Sequence, residues 1–172
     1  MAAHTIHLND PWFELVRAGA KRFEGRRRTD WTDRVRVGDT LEVLHFTDAA
    51  AAPFLARVAE VSHFGTFEDA LVALGPADVL PIDGITVEAG VEIYRRYVSL
   101  GTQRRDGVVM WRLEVSSDPA QSLTETQGAG GATASARERA AAVAAEFRFP
   151  TSMATSTALS LSHMAQATLD RA

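Results

Sequence analysis

The chain has 172 residues, of which 46% are apolar and 23% charged, and its formal net charge is −4 at pH 7. This length and composition allow one domain with a buried core plus an appendage, and they exclude a wholly disordered protein. The absence of cysteine excludes disulfide frameworks, thiolate metal sites and cysteine nucleophiles. With no long apolar run and no secretory signal pattern, we expect an intracellular protein of the cytoplasm or nucleus, with no membrane partner.

The N-terminal segment is predicted to form a strand followed by a short helix. Residues 4–8 alternate between apolar and polar side chains, which is typical of a strand. Asn9 or Asp10 is expected to cap a helix that begins at Pro11, where a missing N–H costs little. Gly19 is expected to end this helix in the left-handed conformation, so that the chain turns sharply there.

A second strand and a polar loop are predicted after this turn. Residues 22–26 have the character of a strand, on which Glu24 and Arg26 share one face because side chains alternate along a strand. Residues 27–33 are polar and are expected to form a loop with Trp31 at its tip. The corner therefore presents charged side chains from one short stretch of chain.

Two further strands and a helix are predicted in the middle of the chain. Residues 40–46 and 54–64 are rich in β-formers, and imperfect alternation in the second of them predicts a bulge. Thr66 begins a capping-box pattern for a helix that ends at Gly75. Residues 76–84 are expected to form a loop.

A third helix and a last strand complete the predicted domain. Thr86 is expected to cap the helix, and Arg95 and Arg96 lie near its C-terminal end, where cations suit the helix dipole. Residues 104–107 are predicted to form a polar turn. Residues 109–115 alternate cleanly, which predicts a strand with one buried face.

Composition changes after this strand. Residues 116–134 are rich in Ser, Gly, Thr and Gln, which predicts a flexible linker. Residues 135–172 are predicted to form a helical, partly disordered tail, and its first helix, over 135–148, is a candidate docking element for a protein partner. Five or six short strands with three helices in about 112 residues predict an α+β fold, mainly β, built as a small partly closed β-barrel with surrounding helices.

Positive charge is concentrated in two stretches. Between Arg17 and Arg36, eight of the twenty residues are Lys or Arg and three are acidic; between Arg95 and Arg105, four are Arg and none is acidic. Such concentrations favour an anionic partner on one face of the molecule. The alternative is that these side chains are solvated ends of helices and strands.

A set of motifs in fixed order resembles the ASCH domain family. The motifs are Trp12-Phe-Glu-Leu-Val-x-x-Gly-x-Lys21-x-x-Glu24-x-Arg26, Val37-Gly-Asp39, Leu80-Pro81, Val91-x-x-Tyr94-x-x-Tyr97 and Gly107-Val-Val109. The resemblance covers about residues 4–115 and implies a PUA-like β-barrel. It also implies binding of RNA or of a modified nucleotide in a cleft beside the Gly-x-Lys-x-x-Glu-x-Arg corner.

The same resemblance implies a second function, because some bacterial members are hydrolases of N4-acetylcytidine or are linked to RNA cleavage. In the amidohydrolase branch the signature lysine works with a threonine three residues on and with a later glutamate. Lys21 matches that lysine, Glu24 stands at the threonine position, and Asp83 or Glu88 lies in the region of the later acid. If the protein is an enzyme, Lys21 and Glu24 are therefore the candidate catalytic residues.

The residue chemistry agrees with recognition of a nucleotide. An ammonium and a guanidinium bind phosphates or base carbonyls, and a carboxylate accepts from an exocyclic amine. Lys21 could act as a base only if its pKa fell by several units. The alternative for the Lys21, Glu24 and Arg26 cluster is an ion-pair network that only closes the barrel.

Further binding candidates flank this corner. Aromatic rings stack on unpaired bases, and Trp31, Tyr94 and Tyr97 are candidates for that role, although core packing is the favoured role for Tyr94. The predicted RNA- or nucleotide-binding set is Lys21, Glu24, Arg26, Arg27, Trp31, Arg95 and Arg96. The histidines lack ligand spacing, so we expect no metal, and no cofactor is predicted.

Overall fold

The computed structural model of the protein describes residues 1–115. The predicted linker over 116–134, the predicted tail over 135–172 and its helix over 135–148 lie outside the described residues. Within the described part, none of the helices is long and apolar enough to cross a membrane.

Five strands and five α-helices make up this part of the chain. The strands are β1 (Ala3–Leu8), β2 (Phe23–Arg27), β3 (Thr40–His45), β4 (Phe54–Phe64) and β5 (Val108–Val115). The helices are α1 (Trp12–Arg17), α2 (Phe67–Leu74), α3 (Pro76–Val79), α4 (Val87–Arg95) and α5 (Leu100–Asp106), with a 3₁₀ turn over Thr32–Arg34.

The strands form one sheet in the order β1-β3-β4-β5-β2, curled into a half-barrel. The β1–β3 pair is parallel, and the other three pairs are antiparallel. A register shift between Val58 and Glu60 confirms the predicted bulge in β4. The sheet is open between its two edge strands, β1 and β2. The predicted α+β fold, mainly β, with a small partly closed barrel and surrounding helices is therefore confirmed, and its sheet has the form of a half-barrel.

Two apolar clusters cover the sheet. One contains Phe13, Leu41 and Trp111, and the other contains Phe67, Leu71 and Met110. Alternate residues of β5 enter the two clusters, and the first half of the strand, from Val108 to Trp111, is buried on both faces. The prediction of one buried face holds for the second half, where Arg112 and Glu114 are exposed, and was wrong for the first half, because α2 and α4 pack over the face that carries Met110.

The structure confirms three predicted helix ends: the N-terminal caps at Thr66 and Thr86 and the stop at Gly19. The Thr66 hydroxyl accepts from the Asp69 N–H in a complete capping box, Thr86 caps α4 through the Ala89 N–H, and Gly19 has a φ of 72°. The prediction of a side-chain cap at Asn9 or Asp10 was wrong. The α1 helix has no side-chain cap, and the Asp10 carboxylate instead lies 3.2 Å from Nε2 of His45.

Two short helices were not predicted. Residues 76–84 contain α3, which begins at a proline, and residues 104–107 contain the end of α5, which Ser99 caps through the Thr102 N–H. Both helices are short and connect longer elements. Neither has the strong apolar periodicity by which a helix is recognised in a sequence. The described part of the chain therefore has five α-helices, and the prediction of three was wrong.

Candidate functional site

The predicted corner forms at the start of β2. Backbone N–H groups of Ala20 and Lys21 both donate to the carbonyl oxygen of Leu15, which fixes the turn after α1. Lys21 is 3% exposed, and its Nζ donates to the carbonyl oxygen of Phe23. The turn thus directs a lysine side chain inward, where such a residue needs a partner for its charge.

Glu24 provides that partner and joins two cations. Its Oε2 lies 3.3 Å from Nζ of Lys21, and its Oε1 lies 2.8 Å from Nε of Arg26, an ion pair without the angle of a hydrogen bond. Glu24 is 6% exposed. The three charged residues therefore converge, as the alternation along β2 predicted for Glu24 and Arg26.

Burial affects the protonation of Lys21. Desolvation lowers the pKa of Lys21 from its ordinary value, the charge and hydrogen bond of Glu24 act in the opposite direction, and the charge of Arg26 lowers it further. The indole of Trp12 lies over the ammonium, with 5.9 Å between Nζ and the ring centroid. The ammonium is thus held among a carboxylate, a carbonyl oxygen and an aromatic face.

A cavity of about 130 Å³ opens beside these residues. Its charged wall is formed by Lys21, Glu24, Arg26 and Arg27. Its other walls are mainly apolar and aromatic, and they include Trp12, Phe46, Phe67, Leu80, Ile93, Tyr94, Tyr97 and Val98, with the end of β1 from His7 to Asn9. About four water molecules occupy this volume in the liquid, and a single small planar ring would fit in it.

The cavity lies at the edge of β2 and reaches both faces of the sheet. Glu24 pairs with Trp111 across the sheet, and Gly25 pairs with Met110. Because directly opposed residues share a face, the carboxylate and the glycine lie on opposite faces. Glu24 and Arg26 therefore lie on one face of β2, and Gly25 and Arg27 lie on the other, where Phe67 and Tyr94 pack close to Gly25.

Gly25 allows the aromatic wall to approach the strand. A Cβ atom at this position would lie 2.8 Å from Cε1 of Phe67, 2.9 Å from Sδ of Met110 and 3.0 Å from the hydroxyl oxygen of Tyr94. Phe67 and Tyr94 stack with 3.9 Å between their ring centroids and 8° between their planes. Sequence reasoning missed this role, although a glycine inside a strand signals a close approach.

Tyr94 is held in the wall with its hydroxyl unpartnered. The residue is 7% exposed, and among the described residues its hydroxyl has no hydrogen-bond partner. Burial raises the pKa of Tyr94 well above its ordinary value, and the charge of Glu24 adds to this. The hydroxyl therefore stays protonated, and one face of the ring is already covered by Phe67.

The remaining predicted binding residues lie outside the cavity wall. Trp31 is half-buried and contacts Trp111 edge to face, with centroids 5.8 Å apart. Arg95 and Arg96 are exposed on α4, where Arg95 pairs with Glu92 at 2.6 Å. The structure brings four of the seven predicted binding residues together at the cavity, and contact of all seven with RNA stays a prediction.

The concentrated positive charge is largely paired. Arg22 pairs with Asp78, Arg27 lies 3.3 Å from Asp106, and Arg28 lies 3.0 Å from Asp33. Two of these carboxylates come from distant segments, so charge counts along the sequence overstated the net charge of the corner. The cavity, more than the charge, therefore distinguishes this site.

Two acids proposed for an enzymatic reaction are not at the site. Asp83 and Glu88 are exposed and do not line the cavity. Among residues 1–115, no group of three or more His, Asp and Glu side chains is arranged to hold a metal ion. The ionisable side chains of the cavity wall are thus those of His7, Lys21, Glu24, Arg26, Arg27, Tyr94 and Tyr97.

Two solved structures are similar in fold. The crystal structure of hypothetical protein PH0355 has a TM-score of 0.58 and 24% identity, over 67% of this chain and 100% of its own. The solution NMR structure of protein PF0455 from Pyrococcus furiosus has a TM-score of 0.54 and 23% identity, over 69% of this chain and 100% of its own. At these identities the likeness shows the fold alone.

Known family profiles and curated proteins give no match to this sequence. The chain thus shares its fold with proteins whose names state no activity. Any function must be argued from the cavity and its residues.

Proposed function

We propose that this protein is an ASCH-like binding module that holds one unpaired base of RNA, or a modified nucleoside, in the cavity beside Lys21, Glu24 and Arg26. The observation that carries the proposal is the convergence of these three buried or half-buried groups on a cavity of about 130 Å³ with aromatic walls. Ligand sites commonly combine an apolar cavity with a few convergent polar groups.

The size and the walls favour a base over a larger ligand. A single ring fits the volume, whereas a base pair or a folded peptide does not. Aromatic side chains suit the faces of an unpaired base, and RNA-binding modules commonly take such bases out of single strands. Because the cavity is open at the edge of the sheet, the sugar and phosphate can remain outside.

Arg26 and Arg27 both belong to the charged wall of the cavity, so reversing both charges tests the proposal directly. We expect the double reversal Arg26→Glu with Arg27→Glu to abolish retention of a short single-stranded RNA in a filter-binding assay. The matched control is Arg57→Glu with Arg112→Glu, which changes net charge equally on strand residues that pair with Glu114, away from the cavity. Equal retention by the two double variants would contradict the proposal.

Salt dependence gives an independent measurement. Each phosphate contact to a single strand contributes a slope of about −0.7 in the logarithmic plot of affinity against salt. Since most arginines of the corner are already paired, we expect a shallow slope for RNA, and none for a nucleoside without phosphate. A steep slope with no nucleoside binding would indicate phosphate binding on the surface instead.

A hydrolase is the second candidate, and the lowered pKa of Lys21 favours it. A lysine that loses its proton more readily can take one from an attacking water at an amide such as that of N4-acetylcytidine. We expect an enzyme to release cytidine and acetate, and Lys21→Ala to stop this release while the fold remains. No product after long incubation would remove this candidate and leave the binding proposal standing.

A further inference from the structure

Among residues 1–115, the hydroxyl of Tyr94 is one of three buried side-chain atoms with no hydrogen-bond partner. The other two are Nε of Arg26, which forms an ion pair with Glu24, and Nε1 of Trp111, a residue that does not line the cavity as Tyr94 does. A buried hydroxyl without a partner is costly and uncommon in a folded protein. In a residue that lines a ligand-sized cavity, such a group is available to a partner from outside the described residues.

The surroundings hold this hydroxyl in place. Phe67 covers one face of the Tyr94 ring, and the Phe67 N–H donates to Oε1 of Gln103 at 3.0 Å. The amide nitrogen of Gln103 donates to the carbonyl oxygen of Val98 at 2.8 Å, and Gln103 is 2% exposed. Two helices are thus fixed around one tyrosine, so its hydroxyl is preorganised.

The charged groups of the Lys21, Glu24 and Arg26 cluster, and the Tyr97 hydroxyl, already have partners. Glu24 forms ion pairs with both Lys21 and Arg26, and Nη2 of Arg26 donates to the carbonyl oxygen of His7 at 2.9 Å. Tyr97 accepts from the indole N–H of Trp12 at 3.3 Å. A phosphate inside the cavity would have to displace these contacts, whereas an uncharged ring would not.

We infer that the Tyr94 hydroxyl donates a hydrogen bond to the ligand, and that the ligand part in the cavity is an uncharged planar ring with an acceptor at its edge. A pyrimidine base with its carbonyl oxygen has this chemistry. The inference rests on the proposed function and adds to it which residue reads the base edge. It predicts that phosphate contributes little to affinity, because phosphate stays outside the cavity.

The test uses the full chain and the variant Tyr94→Phe, which removes only the hydroxyl. Cytidine, uridine, N4-acetylcytidine and cytidine monophosphate are titrated by calorimetry, and thermal unfolding is followed without ligand. We expect Tyr94→Phe to keep or raise the Tm of the free protein, since a buried unpaired group is removed, and to weaken nucleoside binding on the order of tenfold. Cytidine and cytidine monophosphate should bind the wild type within a few-fold of each other.

The variant Tyr97→Phe gives the contrast on stability. Its hydroxyl has a partner within the chain, so we expect its loss to lower the Tm, unlike the loss of the Tyr94 hydroxyl. If the wild type bound the nucleosides and Tyr94→Phe bound them with the same affinity, this inference would be overturned and the proposed function would stand. Failure of the wild type to bind any of the four probes or single-stranded RNA would overturn both.

Discussion

Nη2 of Arg26 in β2 donates to the carbonyl oxygen of His7 in β1, at 2.9 Å. These strands are the two edges of the sheet, so one side chain spans the opening of the half-barrel. The same guanidinium pairs with Glu24 at the cavity. Arg26 therefore has both a structural and a binding role, and substitution of this residue tests both.

We expect Arg26→Ala to lower the Tm by a few degrees and to weaken binding of cytidine about tenfold, since one exposed link and one ion pair are lost. Thermal unfolding and calorimetry measure the two effects separately. Arg57→Ala, which removes an exposed arginine paired with Glu114, is the control. A loss of stability with unchanged affinity would mean that Arg26 only closes the barrel.

The Lys21–Glu24 pair is suited to a double-mutant cycle. Both side chains are under a tenth exposed, so removing one partner leaves a buried charge. We expect Lys21→Met and Glu24→Leu each to lower the free energy of unfolding by about 3 kcal/mol, and the double variant to lose less than the sum. Urea unfolding of all four proteins measures the coupling, and additive losses would contradict a close pair.

Gly25 tests the close approach of the aromatic wall. We expect Gly25→Ala to lower the free energy of unfolding by about 1–3 kcal/mol, because its Cβ would overlap Phe67 and Met110. Gly101→Ala in α5 is the matched control, since the nearest atom to a Cβ there would be Oγ of Ser99 at 4.0 Å, an ordinary contact, and alanine favours helix. Equal stability of the two variants would show that the wall adapts without cost.

Asp39 predicts a specific acid sensitivity. N–H groups of Ala2 and Arg36, with His4, hold the pKa of Asp39 at about 2, below its ordinary value of 3.8. The unfolded chain therefore binds more protons between these values, so the stability from Asp39 is present above pH 3.8 and is lost as pH falls toward 2.

The variant Asp39→Asn should remove this part of the acid dependence. We expect its free energy of unfolding to vary less than that of the wild type between pH 5 and pH 2, as followed by urea unfolding at each pH. Asp30→Asn, at an exposed loop position, changes the charge equally and serves as the control. Parallel pH profiles for the wild type and Asp39→Asn would contradict the assignment.

Local patterns predicted the elements that form the corner. The stop signal at Gly19 and the alternation along β2 predicted a corner at Lys21 with Glu24 and Arg26 on one face, and the structure shows that the three side chains converge there. The helix end and the strand alternation each depend on a few consecutive residues, so the local sequence is enough to predict them. The half-barrel followed from the spacing of the strands and from the motif order.

Long-range packing set the features that were missed. Arg22 and Asp78 are 56 residues apart, and Arg27 and Asp106 are 79 apart, so no local pattern shows that the charges of the corner are paired. The unpartnered Tyr94 hydroxyl likewise depends on what α2 and α5 place around it. A polar group's partners become known only when the tertiary contacts are known.

The strand β5 belongs to both apolar clusters, with Trp111 in one and Met110 in the other. Neither cluster can open fully while this strand stays in place, so the two halves should lose their amide protection against deuterium exchange together. A molecule bound against Phe67 and Tyr94 would then slow exchange in β3 and β4 as well, although neither strand contributes a residue to the cavity wall. Binding of a ligand in the cavity would thereby slow amide exchange across the whole sheet.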